Sequence, residues 1–161
     1  MQDCKKGVDM TIVASGLKGL RDLAGRDLGE SDWLQVTQQR INTFADATDD
    51  WQWIHVDPVK AADGPFGSTI AHGYLTLSLV IPMFEKLLDI QDVKMSVNYG
   101  LERVRFPSPV PVGSKVRLKA HVDSVEDVAG NGVQMAIDFT VEIEGASKPA
   151  CIARVLYRHY E

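Results

Sequence analysis

"STIAHGYLTLSLVIPMFEKLLD", residues 68–89, decides the fold. Wound as a helix, it carries Ile70, Tyr74, Leu75, Leu77, Leu79, Val80, Ile81, Met83, Phe84, Leu87 and Leu88 around most of its circumference. A helix without a polar face must be enclosed. At 1.5 Å per residue the segment predicts a helix about 33 Å long, bent or shortened by Pro82. Its most apolar part, residues 70–84, falls short of the roughly 20 residues that cross a bilayer and contains His72 and Pro82. Protein, not lipid, is therefore expected to surround it.

The enclosure is written downstream, where the hydrophobic period changes from helical to alternating. "SVNYGLERVRF", "SKVRLKAHVDSVEDV", "VQMAIDFTVEIE" and "ACIARVLYRHY" each place apolar and polar residues on opposite faces, as strands do. "GNG", residues 130–132, reads as a hairpin turn between the second and third, since a dinucleotide loop needs further glycines opening a helix. Upstream, "WLQV" from Trp33 suggests a short strand, and Thr37 is placed to cap a helix carrying Ile41, Phe44 and Ala45 that ends near Thr48. Residues 1–32 show a poor hydrophobic face by either period and are assigned as an N-terminal extension, with one domain over residues 33–161. An early strand, a long buried helix and an antiparallel meander predict an α+β domain in which a curved sheet wraps the helix, the hot-dog arrangement. A single sheet around one helix leaves an edge uncovered, and pairing as a homodimer would cover it.

Composition narrows the function. The 161 residues are 45% hydrophobic and 24% charged, as in an ordinary compact domain, and no internal repeat is visible. A net charge of −5 with scattered Lys and Arg excludes a surface built chiefly for nucleic-acid phosphates. Cys4 and Cys151 lie near opposite ends, and the opening residues lack a secretory pattern. A cytoplasmic protein with free thiols and no membrane association is expected.

The chain carries no G-x-S-x-G, G-x-x-x-x-G-K-[ST], H-E-x-x-H or paired C-x-x-C motif. His55, His72, His121 and His159 are too far apart for a compact helical ligand set, so no metal site is expected, and His121 and His159 read as a solvated strand face and a loose terminus. What remains is "TDDWQWIHVDP", residues 48–58, where Asp50 and His55 stand five apart in an irregular segment framed by Trp51, Trp53 and Ile54. Brought together by a turn, a carboxylate and an imidazole hold one water between them, and the surrounding aromatics exclude bulk solvent. The same residues also suit a plainer purpose: Asp49 or Asp50 capping the turn, His55 half-buried and satisfied. At the entry to the apolar helix, Gly73 permits close approach to the backbone and places free first-turn N–H groups beside it, which suits an oxyanion and equally suits tight packing of helix on sheet.

Taken together, "DWQWIH" with its "HVDP" continuation, "TIAHGYLTLSL", and "NYGLERVRFPSPVPVGS" at residues 98–114 resemble the MaoC-like dehydratase family. The likeness is to its single-hot-dog (R)-specific enoyl-CoA hydratases and nodulation protein N-like proteins, over about residues 33–160. The resemblance implies Asp50 and His55 as the catalytic pair, the Gly73 N–H as oxyanion donor, and reversible addition of water to a trans-2-enoyl thioester. It implies no cofactor, with coenzyme A or an acyl carrier entering as part of the substrate. The family usually has Asn-Pro between acid and histidine, where this chain has Gln52-Trp53, closer to the nodulation protein N-like branch. Tyr74, Leu75, Leu77 and Leu79 serve either the acyl tail or the core. Arg103, Arg105, Lys115 and Arg117 serve either coenzyme A phosphates or a solvated sheet face.

Two rival functions share the fold. A thioesterase tends to carry an acid on the central helix, where Glu85 and Asp89 lie only at the far end. A non-catalytic acyl-thioester-binding module would have no need of both Asp50 and His55.

Overall fold

The computed structural model describes residues 11–161, so Cys4 lies outside the described residues. In chain order it contains β1 (Ile12–Ser15), α1 (Gly16–Arg21), β2 (Asp27–Glu30), β3 (Leu34–Gln35), α2 (Gln38–Thr48), α3 (Trp53–Val56), α4 (Pro58–Ala62), α5 (Gly73–Ser78) and α6 (Val80–Phe84). Five strands follow: β4 (Leu88–Gln91), β5 (Met95–Arg105), β6 (Lys115–Val128), β7 (Gly132–Ile143) and β8 (Cys151–Tyr160). The four expected downstream strands are β5 to β8. Together with β2 they form an antiparallel sheet in the order β2-β6-β7-β8-β5, with β3 also pairing β6. The turn at residues 129–131 joins β6 to β7, with Gly130 and Asn131 both at positive φ, as a tight hairpin requires.

Alternation along β8 sets the inner face of this sheet: Cys151, Ala153, Val155, Tyr157 and His159 are buried between more exposed neighbours. Against this face lies the apolar helix, where Phe84 meets Phe139 at 5.2 Å and Tyr157 at 5.6 Å between ring centroids. The helix is shorter than the apolar run suggests. Residues 69–71 are extended because tertiary pairing holds them: Ala71 N–H donates to the Val110 carbonyl at 2.8 Å, and Val112 N–H to that of Thr69 at 2.9 Å. The helix starts only at Gly73 and breaks at Leu79, four residues after Leu75 whose carbonyl its amide still reaches. Pro82 has no N–H to give the Ser78 carbonyl, so α6 restarts as a separate segment. Leu88 then enters β4, which pairs in parallel with β1.

The expected division between residues 32 and 33 does not mark a break in packing. Leu17, Leu20, Leu23 and Leu28 belong to the same core cluster as Leu75, Met83, Val116 and Ile137. A six-residue helix followed by a turn is too short to display a periodic face, which is why this contribution is faint in sequence.

Candidate active site

The acidic end of α2 opens the site. Thr37 caps α2 by accepting the Arg40 N–H at 3.2 Å, and Asp49 ends it in the left-handed conformation, φ 58°, which turns the chain so that Asp50 starts a new direction. One turn of helix follows, α3, in which the His55 amide donates to the Gln52 carbonyl at 2.9 Å. Asp57 then caps α4, accepting the Lys60 N–H at 3.0 Å. The capping role thus falls to Asp49 and Asp57, which leaves the Asp50 side chain exposed and His55 at 6% exposure pointing inward.

Two hydrogen bonds fix the imidazoles. His55 Nδ1 lies 2.7 Å from the Ile70 carbonyl, which only accepts, so Nδ1 carries the proton and Nε2 keeps its lone pair. His72, 3% exposed, donates from Nε2 to the backbone carbonyl of Asp50 at 3.0 Å. Gln38 binds the walls together: its amide donates to the His55 carbonyl at 2.8 Å and to Asn42 Oδ1 at 2.8 Å, while its oxygen accepts from the Thr69 hydroxyl. The two imidazoles stack, 3.8 Å between centroids and 26° between planes, and Phe44 covers His72 from 5.0 Å. Asp50, His55 and His72 offer one ligating atom each within 4.8 Å of one another.

Electrostatics hold His55 neutral. Burial lowers its pKa below the ordinary 6.5, and His72 adds to the lowering; the Ile70 carbonyl and the Asp50 charge oppose this without reversing it. Near neutrality, Nε2 is therefore a free base.

Gly73 is covalently next to His72 and opens α5, so its N–H is among the first-turn donors the helix leaves unpaired. A Cβ at Gly73 would stand 3.1 Å from the Phe106 ring. Packing and close approach thus both ask for glycine here. Sequence reasoning placed Asp50, His55 and Gly73 but missed three neighbours: His72, whose adjacency to Gly73 was the available signal, and Gln38 and Phe106, which had none.

The remaining candidates separate cleanly. Arg117 is spoken for by Glu30 at 2.6 Å and Glu142 at 2.8 Å, and Lys115 by Glu144 at 3.7 Å. Arg103 and Arg105 have no carboxylate partner among the described residues. Of the helix residues, Leu75 and Leu79 are core, Leu77 lines a groove, and Tyr74 is 72% exposed with Phe106 edge-on at 6.3 Å. His121 sits half-exposed beside Asp27 at 2.8 Å. The reading of His159 as part of a loose terminus is corrected: β8 continues to Tyr160, and its alternation turns His159 into the interior at 2% exposure.

Comparison with known proteins places the chain among relatives. Residues 21–143 match the family model described as MaoC like domain. The chain is 52% identical over 136 residues to 3-hydroxyacyl-thioester dehydratase Z of Mycobacterium tuberculosis, covering 84% of this chain and 90% of that one. It is 47% identical over 131 residues to nodulation protein N of Rhizobium leguminosarum bv. viciae, covering 80% and 81%. Its fold superimposes on the unliganded R-hydratase PhaJ1 from Pseudomonas aeruginosa with a TM-score of 0.65 at 23% identity, covering 86% and 82%. With most of its length matched by that model and by relatives near half identity, the chain belongs to the MaoC-like domain family.

Proposed function

We propose that this protein is an (R)-specific hydro-lyase that adds water reversibly to trans-2-enoyl thioesters, with Asp50 and His55 as its catalytic residues. The observation that carries the reading is the His55 tautomer: Nδ1–H is committed to Ile70, and Nε2 is left unprotonated beside Asp50. A water between them loses a proton to His55 Nε2 while its oxygen bonds to the β carbon. The electron pair of the double bond moves toward the thioester oxygen, and the Gly73 N–H meets the charge that develops there. The α carbon then takes a proton from the Asp50–His55 pair, which balances the addition. The related mycobacterial protein carries the name of a thioester dehydratase, the reverse reaction of the same chemistry.

The substrate is an acyl-CoA or acyl-carrier thioester, and Arg103 and Arg105, without carboxylate partners among the described residues, are candidates to meet its phosphates. No cofactor enters the proposed steps. No helix among the described residues is long and apolar enough to cross a membrane. A cytoplasmic location accords with Cys151, a buried free thiol whose pKa burial pushes up to about 11. The protomers pair through β5, which ends the sheet with Met95, Val97, Tyr99 and Leu101 all exposed.

Crotonyl-CoA tests the reading. Loss of the conjugated double bond's absorbance without release of thiol is expected, with kcat lowered about a hundred-fold or more in Asp50→Asn and in His55→Gln while circular dichroism stays unchanged. Free thiol would indicate hydrolysis. Binding without turnover would indicate a module.

A further inference from the structure

The helix and β5 run side by side in opposite directions, and the space between them is a groove. Phe106 stands against Gly73 at one end. One turn further, a cavity of about 260 Å³ is lined by Leu77, Ile81, Leu101 and Val155. Ile81, Asn98 and Tyr157 line this cavity and also the next, of about 400 Å³, which extends to Glu85, Ser96 and His159. From Gly73 to Glu85 the path is about 18 Å at helical rise.

Polarity changes along that path. The β5 residues that pair with the inward side chains of β8 are, from the Gly73 end, Val104, Leu101, Asn98 and Ser96, facing Ala153, Val155, Tyr157 and His159. A groove meant only for hydrocarbon has no reason to end on an amide, a hydroxyl and an imidazole. His159 Nδ1 is 2.8 Å from Ser96 Oγ, and its Nε2 is buried with no hydrogen-bond partner among the described residues. A bare N–H there would be the worse orphan, so the proton sits on Nδ1 and is donated to Ser96. Burial holds the ring neutral, its pKa pushed down to about 4. Ser96 Oγ, already accepting, keeps its own O–H free to donate into the cavity it lines. At the same end Glu85 and Asp89 supply acceptors, and the Glu85 charge is felt by the Tyr157 hydroxyl.

Resting on the hydratase reading above, we propose that the acyl chain of the preferred substrate ends in a hydroxyl group, bound by Ser96 and Asn98 at the far end of this groove with His159 as the positioning residue for Ser96. A terminal methyl would strip water from these groups without replacing its hydrogen bonds. A terminal carboxylate would meet Glu85 and Asp89. A hydroxyl both accepts from Ser96 and donates to a carboxylate or to the Asn98 oxygen.

Calorimetric titration with saturated dodecanoyl-CoA and ω-hydroxydodecanoyl-CoA reads this without turnover. The hydroxylated chain is expected to bind about ten-fold tighter or better, a hydrogen bond restored to groups that the bound chain covers being worth that much. Ser96→Ala and His159→Phe should each abolish the difference in Kd between the two chains, weakening the hydroxylated chain and removing the desolvation cost of the plain one. Ser96 is solvent-accessible, so Ser96→Ala carries the comparison even if His159→Phe fails to fold. Equal affinities in the wild type, or tighter binding of the plain chain, would overturn the proposal. Crotonyl-CoA turnover by the wild type, measured in parallel, separates this outcome from failure of the hydratase reading.

Discussion

His55 and His72 stack with 3.8 Å between ring centroids, each tied through one nitrogen to a backbone carbonyl, Ile70 for the first and Asp50 for the second. The stack is thus a splint: it sets the plane of the proposed base and, through the Asp50 carbonyl, the position of the proposed acid. His72→Ala should lower kcat by about ten-fold or more, since misplacing a base by a fraction of an ångström loses that much. A merely structural role would leave the pH profile alone. Here, because His72 helps hold the His55 pKa down, the acid limb of kcat/KM should move to higher pH.

Asp50 acts on the same pKa in the opposite sense. Its charge raises the His55 value, so Asp50→Asn should move the imidazole titration further below 6.5, as followed by NMR of the His55 ring protons. An upward or absent shift would place the two groups out of electrostatic reach.

Gly73→Ala tests the crowded helix entry. Its backbone φ carries no left-handed demand, so the added methyl acts only through the Phe106 ring 3.1 Å away. Activity on crotonyl-CoA should fall with little change in Tm. Phe106→Ala in the same chain should restore part of it if the ring, displaced toward the site, is the cause.

Sedimentation should give a mass of twice 17.8 kDa for the wild type. Val97→Lys puts a charge on the exposed edge strand, and two-fold pairing through that strand buries two such charges; the protein should shift to the monomer at micromolar concentration. A dimer unaffected by this change would pair through another face.

Buried His159 makes the fold acid-sensitive. Its pKa is near 4 in the folded chain against 6.5 ordinarily, so between those values the unfolded chain binds the proton that the native chain refuses. Stability should be full above about pH 6.5 and fall as pH drops toward 4, by about 3 kcal/mol in all at 1.36 kcal/mol per unit. Urea titrations across this range check it, and His159→Phe should flatten the dependence.

Much of this molecule was readable along the chain because its signals are local. Alternation in "KVRLKAHV" and "ACIARVLYRHY" defines β6 and β8 through a two-residue period, and Thr37 before Ile41 defines the start of α2. Asp50, His55 and Gly73 stood out since a turn and a helix start are also local. The sequence by itself determined which faces are apolar and where the proposed reacting groups sit on their own elements. Only the tertiary structure decided that residues 69–71 are strand-like, that Leu17 and Leu20 complete the core, that His72 stacks on His55, and that Ser96 and His159 meet from strands 63 residues apart. Those outcomes depend on partners distant in the chain, and a hydrogen bond or a ring stack leaves no periodic trace in either partner's neighbourhood.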